Sequence, residues 1–191
     1  MPRAGLSADR LTDEAWELMD GGSPLSLAAV AQRVGVQVPS LYKHVASLDA
    51  LRQLVAVRAK ADLGNALAAA AAGTTDAGDA GDPAALVRLA AAYREWATRH
   101  PGLYESTLRA AEPSDASDVE VSERASNLIY ETLRATGVPD HALVDATRAF
   151  RSLLHGFVAI EAAGGFKLPV DVDRSFESIT RVFGRSLGQW E

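Results

Sequence analysis

Gln37, Val38, Pro39, Ser40, Tyr42, Lys43 and His44 fall within eight consecutive positions, a cluster of side chains suited to contacting a nucleic acid. A glutamine amide donates and accepts, which matches an adenine edge, and a lysine ammonium reaches a guanine edge or a phosphate. Valine and proline offer apolar surface to a thymine methyl. For His44 two readings stay open: contact with a phosphate, or packing and capping at the end of its own helix. Such residues read bases only when a helix holds them in line at a groove, so the neighbouring elements decide whether this chemistry is available.

Ser26 is of the type that caps a helix, and Leu27, Val30, Ala31 and Val34 follow it as an apolar stripe. That helix stops after about two turns at Gly35, which can take the left-handed conformation of a tight turn. Pro39 suits the first position of a third short helix running to about Val45. Ala31 is small enough for the two helices to approach, and Val30, Val34, Val36 and Leu41 fill the places between them. Before them Ser7 caps a first helix with Asp9 in its opening turn, Leu11, Ala15, Leu18 and Met19 inward, and Gly21-Gly22 at its end. Three short helices with this spacing describe a helix-turn-helix.

The run Val34-Gly-Val-Gln-Val-Pro-Ser-Leu-Tyr-Lys-His-Val45, followed by Leu48-Asp-Ala-Leu51, resembles the helix-turn-helix signature of the TetR family of bacterial regulators. The resemblance implies that Tyr42 sits against the phosphate backbone, that Val38, Pro39 and Ser40 read bases, and that Ser26 bonds a phosphate at a helix N-terminus. Where many members carry a phosphate-gripping lysine at the start of the fourth helix, this chain has Leu48, leaving Lys43, Arg33, Arg10 and Arg3 as candidates. Further on, Trp96 to Tyr104 and His155 to Phe166 resemble a His-Gly-containing, WHG-type C-terminal subgroup. That likeness implies a dimer formed by the last two helices and an effector pocket among the central ones.

The charge distribution agrees with a reading head on an acidic body. Residues 1–60 hold seven basic and six acidic residues, a net +1, whereas the remainder holds twelve and nineteen, a net −7, within a total of −6. A shallow salt dependence, with reliance on dimerisation through residues 140–189, is therefore expected. The chain of 191 residues has no cysteine, which excludes disulfides, thiolate chemistry and cysteine-based metal sites. No apolar run approaches the ~18 residues that span a bilayer, so a soluble cytoplasmic protein without membrane contact is expected. There is no Gly-rich phosphate loop, no Gly-x-Ser-x-Gly and no His-Glu-x-x-His, so no enzyme, cofactor or metal is expected.

The fold class is all-α, with about nine helices. Residues 1–47 form the DNA-binding head and 48–191 a helical effector-binding and dimerisation domain. A connecting helix takes 48–72, a flexible Gly/Asp-rich loop 73–82, and a helix the stretch from Pro83 to about Arg99. A short helix is expected around Leu103 to Ala110. After a polar break over Glu112–Asp118 comes a helix through Thr136, then the last two helices at about 140–163 and 173–189. Tyr93, Trp96, Tyr104, Phe150, Leu154 and Phe157 are candidates to line an effector cavity, with plain core packing the alternative. Phe150, Leu153, Phe157, Phe176, Ile179 and Phe183 are candidates for the dimer interface. His155 and Glu161 offer polar handles either to an effector or to an interface. The partners expected are operator DNA, a second copy of the chain and a small-molecule effector. A repressor, an activator, and a small-molecule-binding helical protein with little remaining DNA affinity all stay open.

Overall fold

The computed structural model describes residues 5–72 and 83–190. Among them there is helix and no strand, as the apolar spacing requires. The expected loop at 73–82, with its Asp-x-x-Asp spacing, lies outside the described residues. Nine α-helices follow in order: α1 Ala8–Asp20, α2 Leu27–Val34, α3 Val38–Leu41, α4 Leu48–Ala72, α5 Pro83–Arg99, α6 Pro101–Tyr104, α7 Ala116–Ala135, α8 Leu143–Ala162 and α9 Val172–Ser186. No helix among the described residues is long and apolar enough to cross a membrane.

Helices α1 to α3 close around Leu11, Ala15, Val30 and Leu41, all fully buried, with Leu51 and Val55 of α4 completing the same cluster. At about 1.5 Å per residue the 25 residues of α4 span roughly 37 Å, enough to belong to both halves of the molecule. Its first half packs on α1, where the Arg58 guanidinium pairs with Asp13 and lies 4.7 Å over the Trp16 ring. Its second half packs on α5 and α7 and sends Leu63 and Leu67 into the body. One helix thus packs against both α1 and the body.

Several boundaries differ from the sequence reading for local reasons. Helix α3 ends at Leu41, because the amide of His44 bonds back to the Leu41 carbonyl at 2.9 Å and closes a tighter turn before Val45 enters the core. Helix α6 starts at Pro101, two residues early, followed by a 3₁₀ turn over Glu105–Thr107. Helix α7 begins inside the expected polar break, since the Asp115 carboxylate accepts the amides of Ser117 and Asp118 at 3.1 and 3.2 Å. The outer ends of the last two helices are 3₁₀ turns, Asp140–Ala142 before α8 and Leu187–Gln189 after α9.

Candidate nucleic-acid interface

Ser26 accepts the Ala29 amide at 3.1 Å and so starts α2. Its hydroxyl hydrogen remains available to an outside acceptor at a helix N-terminus. Gly35 ends α2 at φ 75°, ψ 36°, where any other side chain would be strained, and the next amide, of Val36, reaches back to Ala31 at 3.0 Å. The turn aims α3 away from α2. Gln37, Pro39, Tyr42 and Lys43 point outward, Ser40 and His44 are half-buried, and Val38 rests partly on the core. Tyr42 is 55% exposed, a large apolar ring standing in solvent beside Lys43.

The basic residues of the head differ in availability. Arg33 is held by Glu14 at 2.7 Å and Arg52 by Asp49 at 2.8 Å, whereas Lys43 makes no ion pair among the described residues. Arg3 lies outside them. At the start of α4, ahead of Leu48, Ser47 caps the helix through the Ala50 amide at 3.0 Å. Ser47 precedes an apolar, acidic first turn, a capping signal present in the sequence but overlooked there.

In the body, a cavity of about 330 Å³ opens between α4, α5, α7 and α8. Of the six aromatic and aliphatic candidates, Tyr93 and Leu154 line it. Tyr104 stands behind Tyr93: their hydroxyls share a hydrogen bond of 2.7 Å, and the Tyr104 hydroxyl lies 2.9 Å from Nδ1 of His155. Burial raises both phenol pKa values, so the two rings stay neutral. Trp96 instead donates its indole N–H to Asp62 at 2.7 Å, tying α5 to α4. Phe150 stacks on Phe183 at 5.4 Å between centroids, and Phe157 meets Phe166 at 4.7 Å and Phe176 at 4.9 Å.

Those ring contacts bear on the expected dimer residues as well. Phe150, Phe157, Phe176 and Phe183 are long enough to reach between α8 and α9 and are spent there within one chain; Leu153 is half-buried and Ile179 exposed. Val144, Ile160 and Val182 also remain outside, Val182 at 60% exposure. Glu161 is held by two hydrogen bonds from Arg94, at 2.7 and 2.5 Å, and the same guanidinium reaches Asp173 at 2.8 Å. His155 is occupied by Tyr104.

Two further joints went unread in the sequence. His100 donates from Nδ1 to the Asp20 carboxylate at 2.9 and 3.0 Å, linking the end of α5 to the end of α1. Next to it Gly102 lies so close to α1 that an added Cβ would stand 1.7 Å from the Met19 carbonyl oxygen. The other joint is buried. Asp118 of α7, 1% exposed, receives Lys60 of α4 at 2.6 Å, Gln53 at 2.8 Å and the Glu112 amide at 2.9 Å. Burial pushes its pKa up, but these three donors outweigh it and hold the carboxyl below its ordinary range.

Three short helices are thus joined through one long helix to a cavity-bearing helical body, and comparison with known proteins gives the class. Residues 86–183 match the family described as "Tetracyclin repressor-like, C-terminal domain". The chain is 34% identical over 185 residues to the uncharacterized HTH-type transcriptional regulator YobS of Bacillus subtilis, covering 95% of this chain and 93% of that protein. It therefore belongs to the TetR family of helix-turn-helix transcriptional regulators. Among solved structures, a protein of unknown function from Rhodococcus sp. RHA1 superposes with a TM-score of 0.78 at 23% identity, covering 97% of each chain. The TetR family protein ActR of Streptomyces coelicolor, solved in complex with (S)-DNPA, gives a TM-score of 0.69 at 19% identity, covering 98% of this chain and 99% of that one.

Proposed function

We propose that this chain is a homodimeric cytoplasmic repressor that binds a pseudo-palindromic operator through the major groove and is released by a small-molecule effector. Residues 1–47 act as the reading head and 48–191 as the effector-binding and dimerisation body. The observation that carries the reading is the outward face of α3. Gln37, Pro39, Tyr42 and Lys43 are exposed on α3 and the residues that flank it, just after the left-handed turn at Gly35. Ser26, Val38, Ser40 and His44 flank that face, with Ser26 and Tyr42 assigned to phosphates and Gln37 to Ser40 to bases. The effector site is the cavity lined by Tyr93 and Leu154, of a volume that suits a small organic molecule. A structural neighbour, ActR, was solved with a bound small molecule, which supports a ligand site in a body of this shape.

A dimer is needed to read a palindrome, and the surface offered for it is the outer side of α8 and α9. Ile179 and Val182 are exposed at neighbouring positions of α9, on the side away from buried Phe176 and Thr180. Changing both to Glu places two charges where two subunits would bury them, so the chain is expected to sediment as a monomer with its helicity retained. Unchanged dimer mass would move the interface elsewhere.

The function is tested by selection. Wild-type protein is used at low salt to retain fragments of its own genome, and the recovered sequences are expected to share an inverted repeat with half-site centres about one helical turn apart. No enrichment, together with thermal shifts by small molecules, would favour a helical ligand-binding protein instead.

A further inference from the structure

The cavity beside Tyr93 adjoins a second hollow toward the surface; the two share Tyr93, Leu108, Ser126 and Arg151. Neither is lined by an aspartate or a glutamate. That is unusual in a segment, residues 61–191, with nineteen acidic residues against twelve basic ones. The basic residues lining the pair are not equivalent. Lys60 is spent on Asp118 at 2.6 Å and Arg148 on Asp145 at 3.4 Å, whereas Arg109 and Arg151 have no ion pair among the described residues. The phenols of Tyr93 and Tyr104 stay protonated, so neither supplies a phenolate to balance Arg151. Opposite this positive rim lies an apolar floor of Leu63, Leu67, Ile129 and Leu154.

From this division we infer that the effector is an amphipathic anion, a ring or chain lying on Leu63, Leu67, Ile129 and Leu154 with a carboxylate-like group paired to Arg151 at the mouth. The inference rests on the effector-cavity reading proposed above and adds the chemical class of ligand. A guanidinium presents two parallel N–H donors to an oxyanion, a geometry that a neutral ligand leaves unused. Arg109, on the same rim, adds long-range attraction for the anion, which salt weakens.

The test uses two dyes with the same ring system, anionic anilinonaphthalene sulfonate and its neutral parent N-phenylnaphthylamine, titrated by fluorescence into the full chain. The sulfonate is expected to bind wild type roughly ten-fold more tightly than the amine. Arg151→Gln, at an exposed position outside the core, is expected to remove most of that preference and leave the amine's affinity unchanged. Ser126→Trp, which fills the shared opening, is expected to weaken both dyes. Equal binding of the two dyes to wild type, or a preference untouched by Arg151→Gln, overturns the anionic class while leaving the cavity as the effector site. Binding of both dyes unaffected by Ser126→Trp overturns the cavity reading, and the inference with it.

Discussion

Lys60→Ala is expected to lower stability by about 3–5 kcal/mol, a drop in melting temperature on the order of 10 °C for a chain of this size. The cause is the carboxylate left behind rather than the ammonium removed. Asp118 is 1% exposed, and without Lys60 it retains only neutral donors, Gln53, the Glu112 amide and, at 3.5 Å, the Ser122 hydroxyl, against the full cost of burying its charge. Replacing both partners together, Lys60→Met with Asp118→Leu, is expected to restore most of the loss, because the pair's attraction mainly offsets its own desolvation. Thermal unfolding of the three proteins decides it, and a double variant as unstable as the single one would refute the explanation.

The same pair sets a pH dependence. The folded Asp118 pKa is depressed below the ordinary value of about 3.9, so its contribution is fully present above that value and is lost as pH falls through the folded one. Wild type is therefore expected to lose stability below about pH 4 more steeply than the double variant.

Gly102→Ala is the second large effect. A Cβ there would stand 1.7 Å from the Met19 carbonyl oxygen and 2.7 Å from its carbon, and both are backbone atoms at the end of α1 that no rotamer change can move. The contact must open, at a cost of about 3 kcal/mol on the scale of overpacked sites, and His100 is drawn away from Asp20 as it does. Because α6 carries Tyr104 into the Tyr93 and His155 row at its other end, the same opening disconnects the cavity from the head. His100→Gln removes the partly exposed bond to Asp20 and the ring contacts with Trp16 and Trp96, and is expected to cost about 1–2 kcal/mol. Calorimetry on both variants tests the ranking, and Gly102→Ala no worse than His100→Gln would contradict it.

What the sequence revealed and what it hid follow from the range of the interactions. Ser7, Ser26 and Gly35 act on amides within a few residues, and α1, α2 and α4 have the bounds that these caps and the apolar stripes imply. Helix α6 starts earlier than expected because its start depends on Pro101 at a helix N-terminus; the same signal at Pro39 places α3 to within one residue, its first residue being Val38. The long-range joints, one within the body and one between body and head, were invisible. Lys60 and Asp118 are 58 positions apart and His100 and Asp20 80 apart, brought together only when α4 packs on α7 and α6 on α1. Aromatic spacing marked Phe150, Phe157, Phe176 and Phe183 as important but could not say whether α8 and α9 would spend them on each other or on a second copy. The exposure of Gln37, Tyr42 and Lys43 around the single turn of α3 was legible because Val30, Val34, Val36 and Leu41 fill the apolar places between the helices.

The central claim is that the face of α3 reads DNA, and a protection footprint on a selected genomic fragment tests it most directly. Wild type and the Tyr42→Ala, Lys43→Ala double variant are compared at low and moderate salt. The account predicts two protected half-sites about one helical turn apart for wild type, and at least a hundred-fold loss of affinity in a variant that keeps its fold and dimer mass. Protection of equal extent by the variant, or no protection of any fragment by wild type even at low salt, would contradict it.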